Sequence, residues 1–229
     1  MIKKQYKNGV SWVEKNRFRL LLVATILVLV MPAFSGVGIL REIVFVTSMS
    51  FLFIQSMIVA TTSKSKRIWL RYLIVIVMVI MFMLEPFGYK SIAMDVARLT
   101  LLAMFFVFVT ISLIRFMKKS AKVDVNVIMA AINIYLLVGI ISGGLAFLFY
   151  KVLPDAYNFP SYITEPIFVN FNYYSFVTMS TVGYGDITPR LPQTQTLAYI
   201  IAVTGQLYVA IIIAFLVGKL LMHPDQGKD

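Results

Sequence analysis

Six long apolar segments constrain what this chain can fold into. They cover residues 20–40, 43–62, 68–84, 92–116, 127–150 and 196–221. A helix needs about 20 predominantly apolar residues to cross the hydrocarbon core of a bilayer, and each segment is near that length. Hydrophobic residues make up 60% of the chain, which is well above the proportion in soluble domains. The sequence therefore predicts an all-α membrane protein with six transmembrane helices.

The basic residues predict how these helices are oriented. With the amino terminus in the cytoplasm, 16 of the 21 Lys and Arg residues fall on the inner side of the membrane. The other five fall outside or in the outer half of a helix: Arg41, Lys90, Arg98, Lys151 and Arg190. This distribution satisfies the positive-inside rule, so we expect a multi-pass protein with both termini in the cytoplasm. The basic residues lie between apolar runs, which argues against a nucleic-acid partner.

A seventh apolar run is too short to span a bilayer. It predicts a re-entrant helix over residues 166–179, which is tolerated at membrane depth only when it is buried in protein. Thr164 or Glu165 is a candidate cap for this helix, and Pro166 suits its first turn. The partial negative charge at the carboxyl end of the helix favours a cation halfway across the membrane.

The residues directly after this helix read Thr181-Val182-Gly183-Tyr184-Gly185, followed by Asp186. This run, which we call the filter segment (181–185), resembles the selectivity filter of potassium channels. Backbone carbonyls along an extended strand can replace the water around K⁺ if they all point inward. Gly183 and Gly185 permit the positive φ angles that this requires. The side chains of Val182 and Tyr184 are expected to point away from the ion, where their packing sets the diameter of the pore. Four chains are needed to surround the ion with a ring of carbonyls.

Residues 120–229 resemble the pore domain of tetrameric potassium channels along almost their whole length. The corresponding elements are an outer helix at 127–150, the pore helix at 166–179, the filter segment at 181–185 and an inner helix at 196–221. The resemblance implies a homotetramer without enzymatic activity or cofactor that conducts K⁺ passively. The permeant ion is expected to bind the carbonyls of Thr181, Val182, Gly183 and Tyr184 and the Thr181 hydroxyl. Asp186 is expected to shape the outer mouth.

The resemblance also implies supporting residues around the filter segment. Tyr173 and Tyr174 stand where the family often has two aromatic residues around the filter, and Thr178 and Ser180 lie directly beneath it. Val177 stands where some members have a glutamate that pairs with the outer aspartate, so Asp186 lacks that partner.

The inner helix carries two further predicted features. Gly205 stands near the position of the family's inner-helix hinge. The lower part of the helix, around Ile211, Ile212 and Phe215, is apolar and is expected to form a gate that closes by dewetting.

Residues 1–119 comprise a basic terminus (1–19) and four helices (20–119). Four helices before a pore are typical of voltage-gated channels, but a sensor needs several charges along one helix, and none lies between Arg98 and Arg115. We therefore interpret this half as a scaffold that resembles a sensor and does not confer strong voltage dependence. Arg98 is expected to pair with Asp95 or Glu85. Arg115, Lys118 and Lys119 are expected to contact anionic lipid on the cytoplasmic side.

Two other functions stay open at this point. One is a weakly selective cation channel, and the other is a transporter or intramembrane enzyme whose first half binds a solute or lipid. The single filter segment argues against a potassium-uptake transporter, which should carry several such loops. The apolar segments hold no cluster of catalytic side chains. The Lys-rich, cysteine-free composition favours a prokaryotic plasma membrane, and neither a regulatory subunit nor the gating stimulus is predicted.

Overall fold

The computed structural model describes residues 2–34, 39–60, 68–83, 91–163 and 167–222. The elements in this part of the chain are α1 (Ile2–Phe34), α2 (Ile39–Ala60), α3 (Ile68–Met83), α4 (Ile92–Lys119), α5 (Val125–Val152), β1 (Tyr157–Asn158), α6 (Phe168–Met179), β2 (Thr188–Pro189) and α7 (Pro192–Met222). The chain forms two compact units, Met1–Leu113 and Ile114–Asp229. The division falls inside α4, shortly before the predicted boundary between residues 119 and 120.

Five of the described helices are long and apolar enough to cross a membrane, namely α1, α2, α4, α5 and α7. This agrees with an all-α membrane protein. The remaining predicted span, at 68–84, corresponds to α3, which has 16 residues and a length of about 24 Å at 1.5 Å per residue. That length is below the ~30 Å of a bilayer core, so six spans stay a prediction.

The first apolar segment, predicted at 20–40, is divided in the structure. Helix α1 begins at Ile2, includes the basic terminus and ends at Phe34, and α2 begins at Ile39. Pro32 lies in the last turn of α1. Residues 39 and 40 therefore belong to the second helix.

An aromatic core joins three helices of the first unit. Phe53 of α2 is fully buried, and its ring lies 5.5 Å from Phe82 of α3, 5.6 Å from Phe105 of α4 and 5.7 Å from Phe106 of α4. Such aromatic pairs contribute beyond the area that they bury. These contacts hold α2, α3 and α4 together.

The predicted pairing of Arg98 with Asp95 is present. Arg98 donates to the Asp95 carboxylate at 2.5 Å, and its guanidinium lies 5.5 Å from the centroid of the Phe82 ring. Both charged residues are buried. Glu85, the other candidate partner, lies outside the described residues. A buried arginine paired within its own helix is local structure and not part of a ladder of charges.

In the second unit, α5 provides a narrow groove in which α6 lies. Gly139 and Gly143 are one helical turn apart, and a Cβ atom on Gly139 would lie 2.3 Å from the Phe176 ring. A Cβ atom on Gly143 would lie 2.5 Å from the Asn172 side chain and 3.0 Å from its Cα. Ser175 of α6 donates to the Gly139 carbonyl at 2.8 Å. Small residues thus let the two helices approach closely, as is common between membrane helices.

Aromatic rings hold the amino-terminal half of α6. Phe171 is fully buried and contacts the rings of Phe147, Tyr150, Tyr157 and Phe159 at centroid distances of 5.3 to 5.7 Å. These rings come from α5, from β1 and from the residue after β1. The cluster therefore holds α6 against both neighbouring elements.

A two-stranded antiparallel sheet joins the loop after α5 to the segment after the filter segment. Tyr157 pairs with Pro189 and Asn158 pairs with Thr188. The Ala156 carbonyl next to β1 accepts from the Arg190 N–H at 3.0 Å and from the Thr194 hydroxyl at 2.9 Å. Both ends of the segment from α6 to α7 are thereby fixed to the same scaffold. Asp124 caps α5 by accepting from the Val127 N–H at 2.9 Å.

Candidate functional site

Helix α6 presents its carboxyl end to the filter segment. The helix runs from Phe168 to Met179, two residues shorter at its start than the predicted 166–179. The Asn170 side chain accepts from the Ile167 N–H at 3.0 Å and so closes the first turn. The predicted capping residues at 164–166 lie outside the described residues.

The filter segment alternates between two backbone conformations. Positive φ angles occur at Thr181 (61°), Gly183 (57°) and Gly185 (79°). The two glycine conformations confirm the sequence prediction, whereas Thr181 was not predicted. A β-branched residue with positive φ is an uncommon and strained conformation, which persists only when the surroundings impose it. Alternation of left- and right-handed conformations turns successive N–H groups to one side of the chain.

Three N–H groups of the filter segment donate to backbone carbonyls of α6. Thr181 donates to the Thr178 carbonyl at 3.0 Å. Val182 and Gly183 both donate to the Val177 carbonyl, at 3.0 and 3.2 Å. Three successive N–H groups of this segment are thus directed toward α6. The sequence did not single out the backbone of Val177, because a carbonyl acceptor has no side-chain signature.

The hydroxyls below the filter segment are held by backbone carbonyls. Ser180 donates to the Phe176 carbonyl at 2.7 Å, and Thr181 donates to the Ser180 carbonyl at 2.7 Å. Since each hydroxyl uses its hydrogen in this way, its oxygen lone pairs are available to accept or to coordinate a cation. The supporting roles predicted for Ser180 and Thr178 stay predictions.

Asp186 has a partner at the outer end of the filter segment. The Tyr173 hydroxyl donates to one carboxylate oxygen at 2.7 Å, and the Ile187 N–H donates to the other at 3.0 Å. A tyrosine hydroxyl is protonated at neutral pH and so serves as the donor in this contact. The sequence offered no acidic partner for Asp186, because residue 177 is valine. In the structure the Tyr173 hydroxyl is a partner of Asp186.

The two predicted aromatic supports differ in their surroundings. Tyr173 is 41% exposed and contacts Asp186. Tyr174 is buried, and its ring lies 5.5 Å from the Tyr157 ring, next to the sheet. Within one chain, Tyr173 therefore contacts the segment after the filter segment, and Tyr174 packs α6 against the sheet.

We predict that Tyr173→Phe weakens the outer mouth without unfolding the chain. Loss of one charge-assisted hydrogen bond at an exposed site removes about 1 kcal/mol per chain. Such a loss lowers the melting temperature by about 2–4 °C for a chain of this size. Differential scanning fluorimetry measures the change, with Tyr162→Phe as the control because Tyr162 is an exposed tyrosine of the same unit. Equal melting temperatures for both variants would contradict a stabilising role for the Tyr173–Asp186 bond.

The side chains of the filter segment lie exposed in a single chain. Val182 is 53% exposed and Tyr184 is 72% exposed. A Cβ atom at Gly183 or Gly185 would have nothing within 4 Å. The packing that the sequence predicts around Val182 and Tyr184 is therefore not supplied by their own chain. One chain provides one wall of a site and does not enclose an ion.

Gly205 lies where α7 crosses the end of α6. Its Cβ position is 2.1 Å from the Met179 carbonyl oxygen and 2.9 Å from the Met179 carbonyl carbon. Helix α7 continues through this residue, from Pro192 to Met222, beyond both ends of the predicted 196–221. The structure gives Gly205 a packing role at the base of the filter segment, and its predicted hinge role stays a prediction.

The predicted gate residues lie on the lower half of α7. Ile211 is 65% exposed, and Ile212 and Phe215 are half-buried. Above them, the Tyr208 hydroxyl donates to the Ala131 carbonyl of α5 at 2.5 Å. Below them, Lys219 donates to the Met117 carbonyl at the end of α4 at 2.8 Å. This half of α7 is thus held to its own unit by two polar contacts, and gating stays a prediction.

One protein-family model matches the part of the chain that contains this site. Residues 134–221 match the family model described as an ion channel, and the match includes α6, the filter segment and most of α7. Searches of curated proteins and of solved structures gave no match. Ion channels are not an enzyme class, and the chain has the apolar helices of a multi-pass membrane protein. The match therefore supports an ion channel family for this chain.

Proposed function

We propose that four copies of this chain form a potassium-selective channel that conducts K⁺ passively. The permeant ion binds in succession to the carbonyls of Thr181, Val182, Gly183 and Tyr184 and to the Thr181 hydroxyl. Asp186 shapes the outer mouth. In such a filter, carbonyl oxygens replace the hydration shell of the ion while it crosses the membrane.

The observation that carries this proposal is the direction of the filter backbone. Positive φ at every second residue, together with N–H groups bonded to Val177 and Thr178, directs the carbonyls away from α6. Several carbonyls on one side of a strand form a row of hard oxygen ligands, which suits an alkali cation. The carboxyl end of α6 adds partial negative charge below this row.

Exposed apolar surface supports the assembly of several copies. Only 11% of the most apolar window of α7 is buried within its own chain, against 50% for α5. Val182 and Tyr184 are exposed as well. In a symmetric ring these surfaces pack against neighbouring copies, and the ring encloses the carbonyls. The number four comes from the resemblance to tetrameric potassium channels.

The proposal includes a topology with six spans, α3 being the shortest, and both termini in the cytoplasm of a prokaryotic cell. This orientation places the basic residues at the end of α4 on the inner side, in keeping with the positive-inside rule. The first half serves as a scaffold without strong voltage dependence, since Arg98 is already paired within its own helix.

The test is current through the purified protein in a planar bilayer, with K⁺ on one side and Na⁺ on the other. We expect a reversal potential near the K⁺ equilibrium value, with no steep dependence of opening on voltage. A reversal potential near zero with sizeable current would replace this proposal with a weakly selective cation channel. Uptake that saturates and depends on a second solute would indicate a transporter.

A further inference from the structure

An apolar cavity lies beside the predicted gate, within the second unit. It encloses about 210 Å³ and is bounded by the last turns of α4, by α5 and by the lower half of α7. Its walls include Ile114 and Lys118 of α4, Ile134 of α5, and Tyr208, Ile212 and Phe215 of α7. An engineered cavity of roughly 150 Å³ lined by similar side chains stays dry and binds small hydrocarbons. This cavity is therefore large enough for a segment of hydrocarbon.

The polar groups at the cavity are engaged elsewhere or lie at its edge. The Tyr208 hydroxyl is bonded to the Ala131 carbonyl, so Tyr208 presents its ring to the cavity. Lys118 is exposed at the end of α4. Lys118 therefore contributes apolar surface to the cavity wall while its side chain is exposed, and a site of this kind suits a molecule with a long apolar chain and an anionic head.

The surroundings determine the source of such a molecule. Ile111 and Ile114, at 41% and 39% exposure, continue the exposed apolar face of α4. In a membrane helix this face contacts lipid, and acyl chains reach the cavity directly. Lys119 and Lys122 follow Lys118 in the sequence and add positive charge at the level of the headgroups. Each basic residue near an anionic membrane surface strengthens binding.

We propose that this cavity binds one acyl chain of an anionic phospholipid, with its headgroup at Lys118. The chain end lies against Ile134, Ile212 and Phe215, so the lipid forms part of the wall behind the predicted gate. The proposal rests on the orientation given above, which places the end of α4 at the inner surface. It concerns lipid binding alone and does not require that the filter segment select K⁺.

The test uses the full-length protein in phosphatidylcholine vesicles that contain a phosphatidylglycerol with a photoactivatable acyl chain. After irradiation, mass spectrometry locates the labelled residues. We expect labels at Ile114 and Ile134, and weaker labelling of both by a phosphatidylcholine that carries the same chain. Lys118→Gln should reduce the preference for the anionic lipid about fivefold, the worth of one surface charge.

Matched variants separate the cavity from general lipid contact. Ile114→Trp fills the cavity and should abolish labelling of Ile134, whereas Ile111→Trp on the same exposed face should leave it unchanged. Lys119→Gln controls for charge, since Lys119 does not line the cavity. If Ile114→Trp proves unstable, the comparison of Lys118→Gln with Lys119→Gln still tests the anionic site. Both lysines are exposed, so neither substitution should unfold the chain.

Two results would overturn the proposal. Equal labelling by both lipids, unchanged in Lys118→Gln, would leave no anionic site. Labelling of Ile111 without any at Ile114 or Ile134 would mean that another copy of the chain covers the cavity. Neither result bears on ion selectivity, which the reversal potential measures separately.

Discussion

We expect that replacing Gly183 with alanine abolishes the proposed selective K⁺ conduction while leaving the helices folded. Gly183 has a φ of 57°, and a Cβ atom there would meet nothing within 4 Å, so the effect is conformational. A residue with a side chain in the left-handed region costs roughly 1–2 kcal/mol, and the cost recurs in every copy around the ring. Relaxation to negative φ rotates the neighbouring carbonyls and breaks the bond to Val177. Bi-ionic reversal potentials measure the loss of selectivity.

The matched control for this variant is Gly218→Ala. Gly218 lies in α7, has no positive φ, and a Cβ atom there would also meet nothing within 4 Å. Alanine at that position should leave both selectivity and conductance unchanged, since it improves helix propensity in open space. Normal K⁺ selectivity in Gly183→Ala would show that the filter segment is not the conduction site.

A second large effect is expected at Gly205. A Cβ atom there would lie 2.1 Å from the Met179 carbonyl oxygen, and a backbone atom cannot move aside as a flexible side chain can. Overpacking of this kind costs about 1–3 kcal/mol, and relief requires α7 to move away from the end of α6. We expect Gly205→Ala to lower the melting temperature by several degrees and K⁺ flux by at least about tenfold.

The same variant distinguishes packing from hinge motion. If Gly205 acts only as a hinge, alanine would change the fraction of time that the channel is open while melting temperature and unitary conductance stay normal. If it permits close packing, stability and unitary conductance both fall. Thermal unfolding and single-channel recording together separate the two, and Gly218→Ala on the same helix again serves as the control.

The helices could be predicted because their signal is local. Apolar runs near 20 residues identify α2, α4, α5 and α7 within a few residues of their observed ends. The start of α1 was missed, since Lys and Arg are good helix formers and the basic terminus simply extends the helix.

The site was predictable where a residue type reports a backbone conformation. Gly183 and Gly185 indicated positive φ, and both have it. Thr181 gave no such signal, because its conformation is imposed by contacts with residues 178 and 180. The groove formed by Gly139 and Gly143 was not predicted. Helix α6, which packs in this groove, lies about 30 residues further along the chain, and the spacing of two glycines does not indicate which helix packs against them.

The hydrogen bond between Lys219 and the Met117 carbonyl connects the end of α7 to the end of α4. The Met117 carbonyl belongs to the last turn of α4, where helix carbonyls lack partners within the helix, and Lys219 supplies one. The same ammonium group lies 5.3 Å from the centroid of the Phe215 ring. If the last turn of α7 moves relative to α4, the hydrogen bond from Lys219 to the Met117 carbonyl breaks unless the end of α4 moves as well. The contact therefore opposes relative movement of the two helix ends with the strength of one hydrogen bond to a charged group, about 1.5–3 kcal/mol.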